Sequence, residues 1–85
     1  MQIIRSGQFQ KRYKKLPQHI KDKTKKQLGL LLSNPKHPSL NLKKMRDPRD
    51  IWEIRITYSY RLTFQQFEEA YYLRNVGTHD ILKNP

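Results

Sequence analysis

Residues 51–64 of the chain read IWEIRITYSYRLTF, and their pattern indicates the architecture of the whole domain. Apolar side chains at positions 52, 54 and 56 alternate with polar ones, and the alternation returns at positions 60, 62 and 64. A period of two is typical of a β-strand that buries one face. Because a tight turn near Ser59 separates the two runs, the stretch predicts two antiparallel strands with one face in the core.

The same period extends the sheet on both sides of this hairpin. Upstream, an alternation at 40–43 precedes a turn at 47–50, DPRD. Downstream, a turn at 68–69 precedes a further strand at 71–76. These segments predict a β-meander, and the short apolar run at 1–5 supplies one more strand.

Two helices are predicted between the first strand and the meander. Ser6 is a suitable N-cap for a short helix over 8–15. A second helix over 18–33 begins after Pro17 and ends at Asn34, which precedes a proline. Its predicted buried stripe comprises Ile20, Thr24, Gln27, Leu28, Leu31 and Leu32. The order β-α-α-β-β-β-β predicts an α+β fold, with two N-terminal helices packed on one face of a mostly antiparallel sheet of four to five strands.

The composition is strongly basic. The 85 residues include 18 Lys and Arg against 7 Asp and Glu, which gives a formal net charge of +11. Residues 1–46 contain 13 of the basic residues and a single acid, whereas the remainder of the chain is nearly balanced. Such a surface attracts a polyanion, so the candidate partners are nucleic acid, an acidic protein and an anionic membrane. The length is that of one small domain.

Several classes of function are excluded by what the sequence lacks. Because there is no cysteine, a disulfide framework, a thiolate zinc site and a cysteine nucleophile are excluded. The longest apolar run, at 30–32, is far too short to span a membrane, and we expect neither membrane insertion nor secretion. No phosphate-binding loop, dinucleotide fingerprint or serine nucleophile motif occurs, and the three histidines lack metal-ligand spacing. Binding, or metal-free chemistry on a phosphodiester, remains.

The meander carries arginines on the face turned away from the helices. If the apolar positions of 51–64 face the helices, the alternate positions face solvent. We also expect Leu73 to be buried, which directs Tyr72 and Arg74 to the solvent face beside Arg61. The predicted basic surface comprises Lys43, Arg55, Arg61 and Arg74, with Lys44 and Arg46 close by. Ordinary solvated strand residues would give the same pattern, and charge alone does not decide between the two interpretations.

One histidine lies where a site is expected. His79 ends the motif RNVGTH at 74–79, where a strand stops after a glycine at the rim of the predicted basic surface. Imidazole groups titrate near neutral pH and can transfer a proton, while neighbouring arginines can stabilise an anionic transition state. A helix-capping or surface role is the alternative for His79. We interpret His19 and His37 as surface residues.

Four segments together resemble a known family. They are HPSLNLKKM at 37–45, IWEIRI at 51–56, YRLTF at 60–64 and LRNVGTHD at 73–80. In this order and spacing they resemble the RelE/ParE superfamily of bacterial toxins, and specifically its RelE-type mRNA interferases. The resemblance covers essentially the whole chain and implies a single RelE-like toxin domain over 1–85.

The resemblance implies the toxin of a type II toxin–antitoxin system. Such a toxin is a cytoplasmic, ribosome-dependent endoribonuclease that cleaves mRNA in the decoding site, and a small acidic antitoxin protein wraps it. A ribose 2′-OH attacks the adjacent phosphate, and neither a metal nor a cofactor takes part. The implied catalytic residues are Arg61, His79, Lys43 and Lys44, and the implied RNA-binding residues are Arg46, Arg55 and Arg74. Arg61 would stabilise the transition state, His79 would protonate the leaving oxygen, and the two lysines would hold the phosphate backbone or perturb the 2′-OH.

Two features depart from the family pattern. The tail at 81–85 contains no aromatic residue to stack on a base after His79, and the second sheet strand contains no glutamate to act as general base. The catalytic base is therefore unassigned. Three alternatives stay open, namely a catalytically weak homologue, a ParE-type toxin that inhibits DNA gyrase by binding, and a non-toxic nucleic-acid-binding domain.

Overall fold

A computed structural model describes all 85 residues. It contains β1 Gln2–Arg5, α1 Gly7–Lys14, α2 Gln18–Ser33, β2 Lys43–Lys44, β3 Ile51–Arg55, β4 Tyr60–Gln66 and β5 Ala70–Thr78. Short 3₁₀ helices at Pro38–Leu40 and His79–Lys83 precede β2 and follow β5. The predicted α+β fold and element order are confirmed. Neither helix has the length and apolar character that crossing a membrane requires.

The strands form one sheet in the order β1-β5-β4-β3-β2. β1 runs parallel to β5, and every other neighbouring pair is antiparallel. Because β1 and β2 form opposite edges, the chain must cross the whole sheet between them, and α1 and α2 make this crossing. Both helices therefore cover the same face, and the opposite face is left for other uses.

The main core lies between the two helices and the sheet. Its buried members are Phe9, Ile20, Leu28, Leu31, Leu40, Ile54, Ile56, Leu62, Phe64, Tyr71, Leu73 and Val76. Ser6 caps α1 as predicted, since its hydroxyl oxygen accepts a hydrogen bond from the Phe9 amide at 3.0 Å. The predicted buried stripe of α2 is confirmed except at Leu32, which is 44% exposed. At 3.6 residues per turn, Leu32 lies at the margin of that stripe.

The prediction for the second sheet strand is wrong in its position. The alternation at 40–43 predicted a strand, but Pro38–Leu40 forms a 3₁₀ helix and only Lys43–Lys44 pairs with β3. Proline favours the start of such a turn because its φ angle is fixed. Asn41 ends the turn in the left-handed region, with φ at 44°, a conformation that asparagine tolerates better than most residues.

The turn between β2 and β3 forms as predicted and is held by charge. Arg49 donates from Nε and Nη2 to the two carboxylate oxygens of Asp47, at 2.9 and 2.7 Å. These hydrogen bonds favour the ionised carboxylate and lower the pKa of Asp47 from 3.8 to about 2. The turn therefore keeps its ion pair throughout the neutral pH range.

The face opposite the helices is not open along its whole length, contrary to the prediction. Residues 79–85, which we call the C-terminal segment, fold back across it. Thr63 Oγ1 donates to the main-chain oxygen of Pro85 at 2.9 Å, and Asn75 Nδ2 donates to that of the preceding residue at 3.1 Å. Thr63 and Asn75 are consequently 0% and 1% exposed. Burial of Ile81 anchors the segment, since burying a large aliphatic side chain stabilises by ~1.5–3 kcal/mol.

A bulge in β5 changes which residues share a face. The register between β4 and β5 shifts at Arg74, which has no partner across the ladder. The extra residue lets Leu73 before it and Val76 after it both reach the core, so the predicted burial of Leu73 is confirmed. The prediction that Arg74 lies beside Arg61 is wrong, because Arg61 pairs with Gly77.

Candidate nucleic-acid cleft

A shallow cleft lies on the part of the second sheet face that the C-terminal segment leaves uncovered. It is lined by Asn41, Leu42, Lys43, Glu53, Arg55 and Arg61. The strand register aligns Lys43 with Glu53 across β2 and β3, and Arg55 with Arg61 across β3 and β4. Like charges directly opposite each other destabilise a sheet, so the arginine pair is unfavourable for folding alone. With three cations and one carboxylate in its lining, the cleft is positively charged.

Arg61 is held by the turn that joins β3 and β4. Its Nη1 donates to the main-chain oxygens of Thr57, Tyr58 and Tyr60, at 2.7, 2.9 and 3.1 Å. All hydrogen bonds of the guanidinium to the protein come from this one nitrogen. Nε and Nη2 form the opposite edge, which is suited to bidentate binding of a phosphate. Arg61 is therefore fixed in position while one edge stays available.

Arg55 is positioned by Asn41. In the amide orientation that satisfies both groups, the side-chain oxygen of Asn41 accepts from Arg55 Nε at 3.2 Å and Nη1 at 3.1 Å. The main-chain oxygen of Arg55 accepts from Nε2 of the buried Gln27 at 2.9 Å, which ties β3 to α2. The left-handed Asn41 thus turns the chain into β2 and orients a cleft arginine.

Glu53 supplies the carboxylate of the cleft. The residue is 9% exposed, and its Oε2 is buried without a hydrogen-bond partner. Buried polar atoms are nearly always hydrogen-bonded, because an unpartnered one retains its full desolvation cost. Glu53 therefore keeps a buried and unpartnered acceptor among the cations of the cleft.

His79 lies at the rim of the same region. It begins the C-terminal segment two residues after Gly77, which is the partner of Arg61, and its side chain is exposed. Its ring centroid is 6.4 Å from that of Tyr58, with the two ring planes inclined at 51°. Arg61 donates a hydrogen bond to the main-chain oxygen of Tyr58, and the ring of Tyr58 lies beside that of His79. Tyr58 therefore contacts both Arg61 and His79.

The remaining sequence-predicted residues lie elsewhere. Lys44 points to the other side of β2, with Nζ 3.1 Å from an Asp50 carboxylate oxygen and 5.9 Å from the centroid of the Trp52 ring. Arg46 is exposed in the turn after β2 and does not line the cleft. Arg74 donates from Nε to the main-chain oxygen of Pro85 at 3.3 Å and lines a separate cavity. The structure thus brings Lys43, Arg55 and Arg61 together with His79 at the rim, and does not bring in the other three.

Comparison with known proteins identifies the family. Residues 18–80 match the family model described as the ParE-like toxin domain. The chain belongs to the ParE-like toxin domain family. It is a type II toxin of the RelE/ParE superfamily. No curated protein matches the chain by sequence.

Solved structures of the superfamily share the fold of this ParE-like toxin. YafQ from E. coli strain BL21(DE3) has 21% identity and a TM-score of 0.78, over 94% of both chains. A chain of the intact E. coli RelBE toxin–antitoxin complex has 25% identity and a TM-score of 0.72, over 91% of this chain and 94% of that one. The YoeB/ParE toxin from Agrobacterium tumefaciens has 13% identity and a TM-score of 0.76, over 93% and 99%.

Sequence reasoning missed three residues around the cleft of this ParE-like toxin. The alternation at 40–43 places Asn41 in a strand, although an asparagine after a Pro-flanked turn favours the left-handed region. Alternation places Glu53 on the solvent face and gives it no role, because its burial depends on tertiary packing. Tyr58 lies in a hairpin turn, where no periodicity indicates which way a side chain points.

Proposed function

We propose that this ParE-like toxin is a ribosome-dependent endoribonuclease that cleaves mRNA in the cytoplasm, and that an acidic antitoxin neutralises it. The observation that carries the proposal is the pair of opposed arginines, Arg55 and Arg61, in one cleft with His79 at its rim. An arrangement that is unfavourable for folding is expected where an anionic ligand compensates for it. A phosphodiester with an adjacent 2′-OH is the ligand that this set of groups suits.

Arg61 is the candidate for stabilising the transition state. The phosphate gains negative charge as the 2′-oxygen attacks it, and donors that are fixed beforehand stabilise such charge without reorganisation. Nη1 of Arg61 is already held by three main-chain oxygens, so the edge formed by Nε and Nη2 is fixed in direction. Lys43 and Arg55 line the same cleft and are suited to holding the RNA backbone.

Proton transfer requires one acceptor and one donor. Glu53 supplies the carboxylate that lines the cleft, and it is our candidate for accepting the proton of the 2′-OH as the 2′-oxygen bonds to phosphorus. A protonated His79 then gives its proton to the 5′-oxygen as the bond between phosphorus and that oxygen breaks. The products are a 2′,3′-cyclic phosphate and a free 5′-OH, and solvent restores the two protonation states.

The antitoxin partner is supported by charge and by related complexes. The chain has a net charge of +11, which suits an acidic protein that covers the cleft. Among the structural relatives, one belongs to the RelBE toxin–antitoxin complex and another to the DinJ–YafQ complex. We extend this mode of partnership to the present toxin.

The test compares the protein with its His79→Ala variant by primer extension on a translated mRNA, with and without ribosomes. His19→Ala is the matched control, because His19 is exposed on α2, away from the cleft. We expect discrete cuts that need ribosomes, persist in the control and fall ~10²–10⁴-fold in His79→Ala, the usual range for a general acid. Growth arrest without any cut would overturn the nuclease assignment and favour a binding target such as gyrase.

A further inference from the structure

The C-terminal segment contains no aromatic side chain, but the neighbouring turn supplies one. Tyr58 lies between β3 and β4 and is 80% exposed, the most exposed large hydrophobic residue of the chain. Its ring centroid is 6.4 Å from that of His79. The exposed aromatic ring of Tyr58 thus lies beside His79, the proposed proton donor.

The turn that carries Tyr58 is held by several hydrogen bonds. Thr57 Oγ1 accepts from the amides of Ser59 and Tyr60, both at 3.3 Å. Arg61 Nη1 closes the turn from the other side through its bonds to three main-chain oxygens, including that of Tyr58. A fixed main chain limits the entropy that the ring loses when it binds a flat partner.

Packing does not account for Tyr58. The nearby Tyr60 packs against the core cluster, whereas Tyr58 contributes nothing to that cluster. Single-stranded RNA is commonly held by aromatic rings on which its bases stack, and each stacked base contributes ~1–3 kcal/mol. Any of the four bases can stack in this way, because each has a flat aromatic face.

We infer that Tyr58 stacks on a base next to the scissile phosphate and so sets the position of that phosphate between Arg61 and His79. This inference rests on the proposed ribonuclease function. Tyr58 takes no part in proton transfer, and only its ring is needed.

The binding test uses ribosomes programmed with an mRNA that carries a 2′-O-methyl group at the mapped cut, so that nothing is cleaved. Affinity is measured by co-sedimentation for the wild type, Tyr58→Ala, Tyr58→Phe and the control Phe67→Ala. Phe67 is 55% exposed in the turn between β4 and β5, away from the cleft. We expect Tyr58→Ala to weaken binding roughly 5- to 150-fold, and Tyr58→Phe and Phe67→Ala to retain it.

Cleavage of the unmodified mRNA by the same proteins separates the two ideas. If the wild type cuts and Tyr58→Ala binds and cuts equally well, the stacking role is overturned while the nuclease function stands. If the wild type neither binds nor cuts, the proposed function fails and the stacking role fails with it.

Discussion

At the scale of single residues, the cleft combines groups that folding alone would keep apart. Arg55 and Arg61 face each other directly, and Glu53 has a buried carboxylate oxygen without a partner. Each feature lowers stability unless something compensates for it. Asn41 offsets part of the cost at Arg55, and the turn oxygens offset part at Arg61. What remains uncompensated is one edge of the Arg61 guanidinium and one carboxylate oxygen of Glu53, both in the cleft where we propose that RNA binds.

Replacement of Glu53 by Gln tests the proposed proton acceptor. The amide keeps the shape of the side chain but cannot accept the 2′-OH proton in the same way, so we expect kcat to fall ~10²–10⁴-fold while KM changes little. Stability should change by no more than ~1 kcal/mol, because the carboxylate makes no hydrogen bond through Oε2. Single-turnover cleavage and urea unfolding measure the two effects. Glu68→Gln, at an exposed position in the β4–β5 turn, is the control, and a Glu53→Gln variant that cleaves normally would exclude Glu53 as the base.

The residues of the cleft were predictable to different degrees. Period-two alternation assigned Arg55 and Arg61 to the face opposite the helices, and the glycine before His79 marked the end of a strand. The predicted position of Arg74 is wrong because a bulge inserts one residue into the register. No pattern in the local sequence indicates this bulge. The orientation of Tyr58 could not be predicted, because side chains in turns follow no periodic pattern. The contact between Tyr58 and His79 joins two segments that are distant in sequence, and alternation within a strand does not encode it.

At the scale of elements, the C-terminal segment and β5 act as one unit. Gly77 pairs with Arg61 on one side and lies under Ile81 on the other. A Cβ at position 77 would come within 2.8 Å of Ile81 Cγ2, closer than packed carbon atoms approach. Glycine is therefore required by the close approach of the segment, and the segment begins with His79.

The strands and helices could be predicted from the sequence because their periods are local. The sequence did not predict that the tail covers the sheet, since that contact joins residues distant in sequence.

Substitution of Gly77 by Ala tests this unit. The clash should displace Ile81 and destabilise the fold by ~1–3 kcal/mol, the usual cost of overpacking. The Ile81→Ala substitution removes the side chain that clashes, so Gly77→Ala should be less destabilising in that background. The double variant is therefore expected to be more stable than the sum of the two single effects predicts. Urea unfolding of the four proteins measures the coupling. If the two effects are strictly additive, the C-terminal segment moves aside without strain, and contact with Ile81 is not the reason for glycine at position 77.

At the scale of the whole molecule, the basic charge has two distinct locations. Most of it lies in residues 1–46, largely on helices that pack against the face opposite the cleft. Seven of the 18 basic residues lie on α1 and α2, whereas Lys43, Arg55 and Arg61 line the cleft. Distributed surface charge raises the rate of encounter with a polyanion, whereas a contact to a phosphate also releases a counterion at equilibrium. The two sets of cations should therefore differ in how salt affects them.

Neutralising one lysine from each set tests this division. Lys43→Gln should weaken binding of a 2′-O-methyl RNA and reduce the slope of log affinity against log salt by ~1, as expected for a lost phosphate contact. Lys25→Gln removes the same charge from the exposed side of α2, so the slope should stay unchanged. Fluorescence anisotropy at several salt concentrations gives both slopes. If both variants lose the same slope, the RNA extends over the helices and the cleft is only part of its path. If neither does, Lys43 makes no phosphate contact, and its place in the proposed RNA path is excluded.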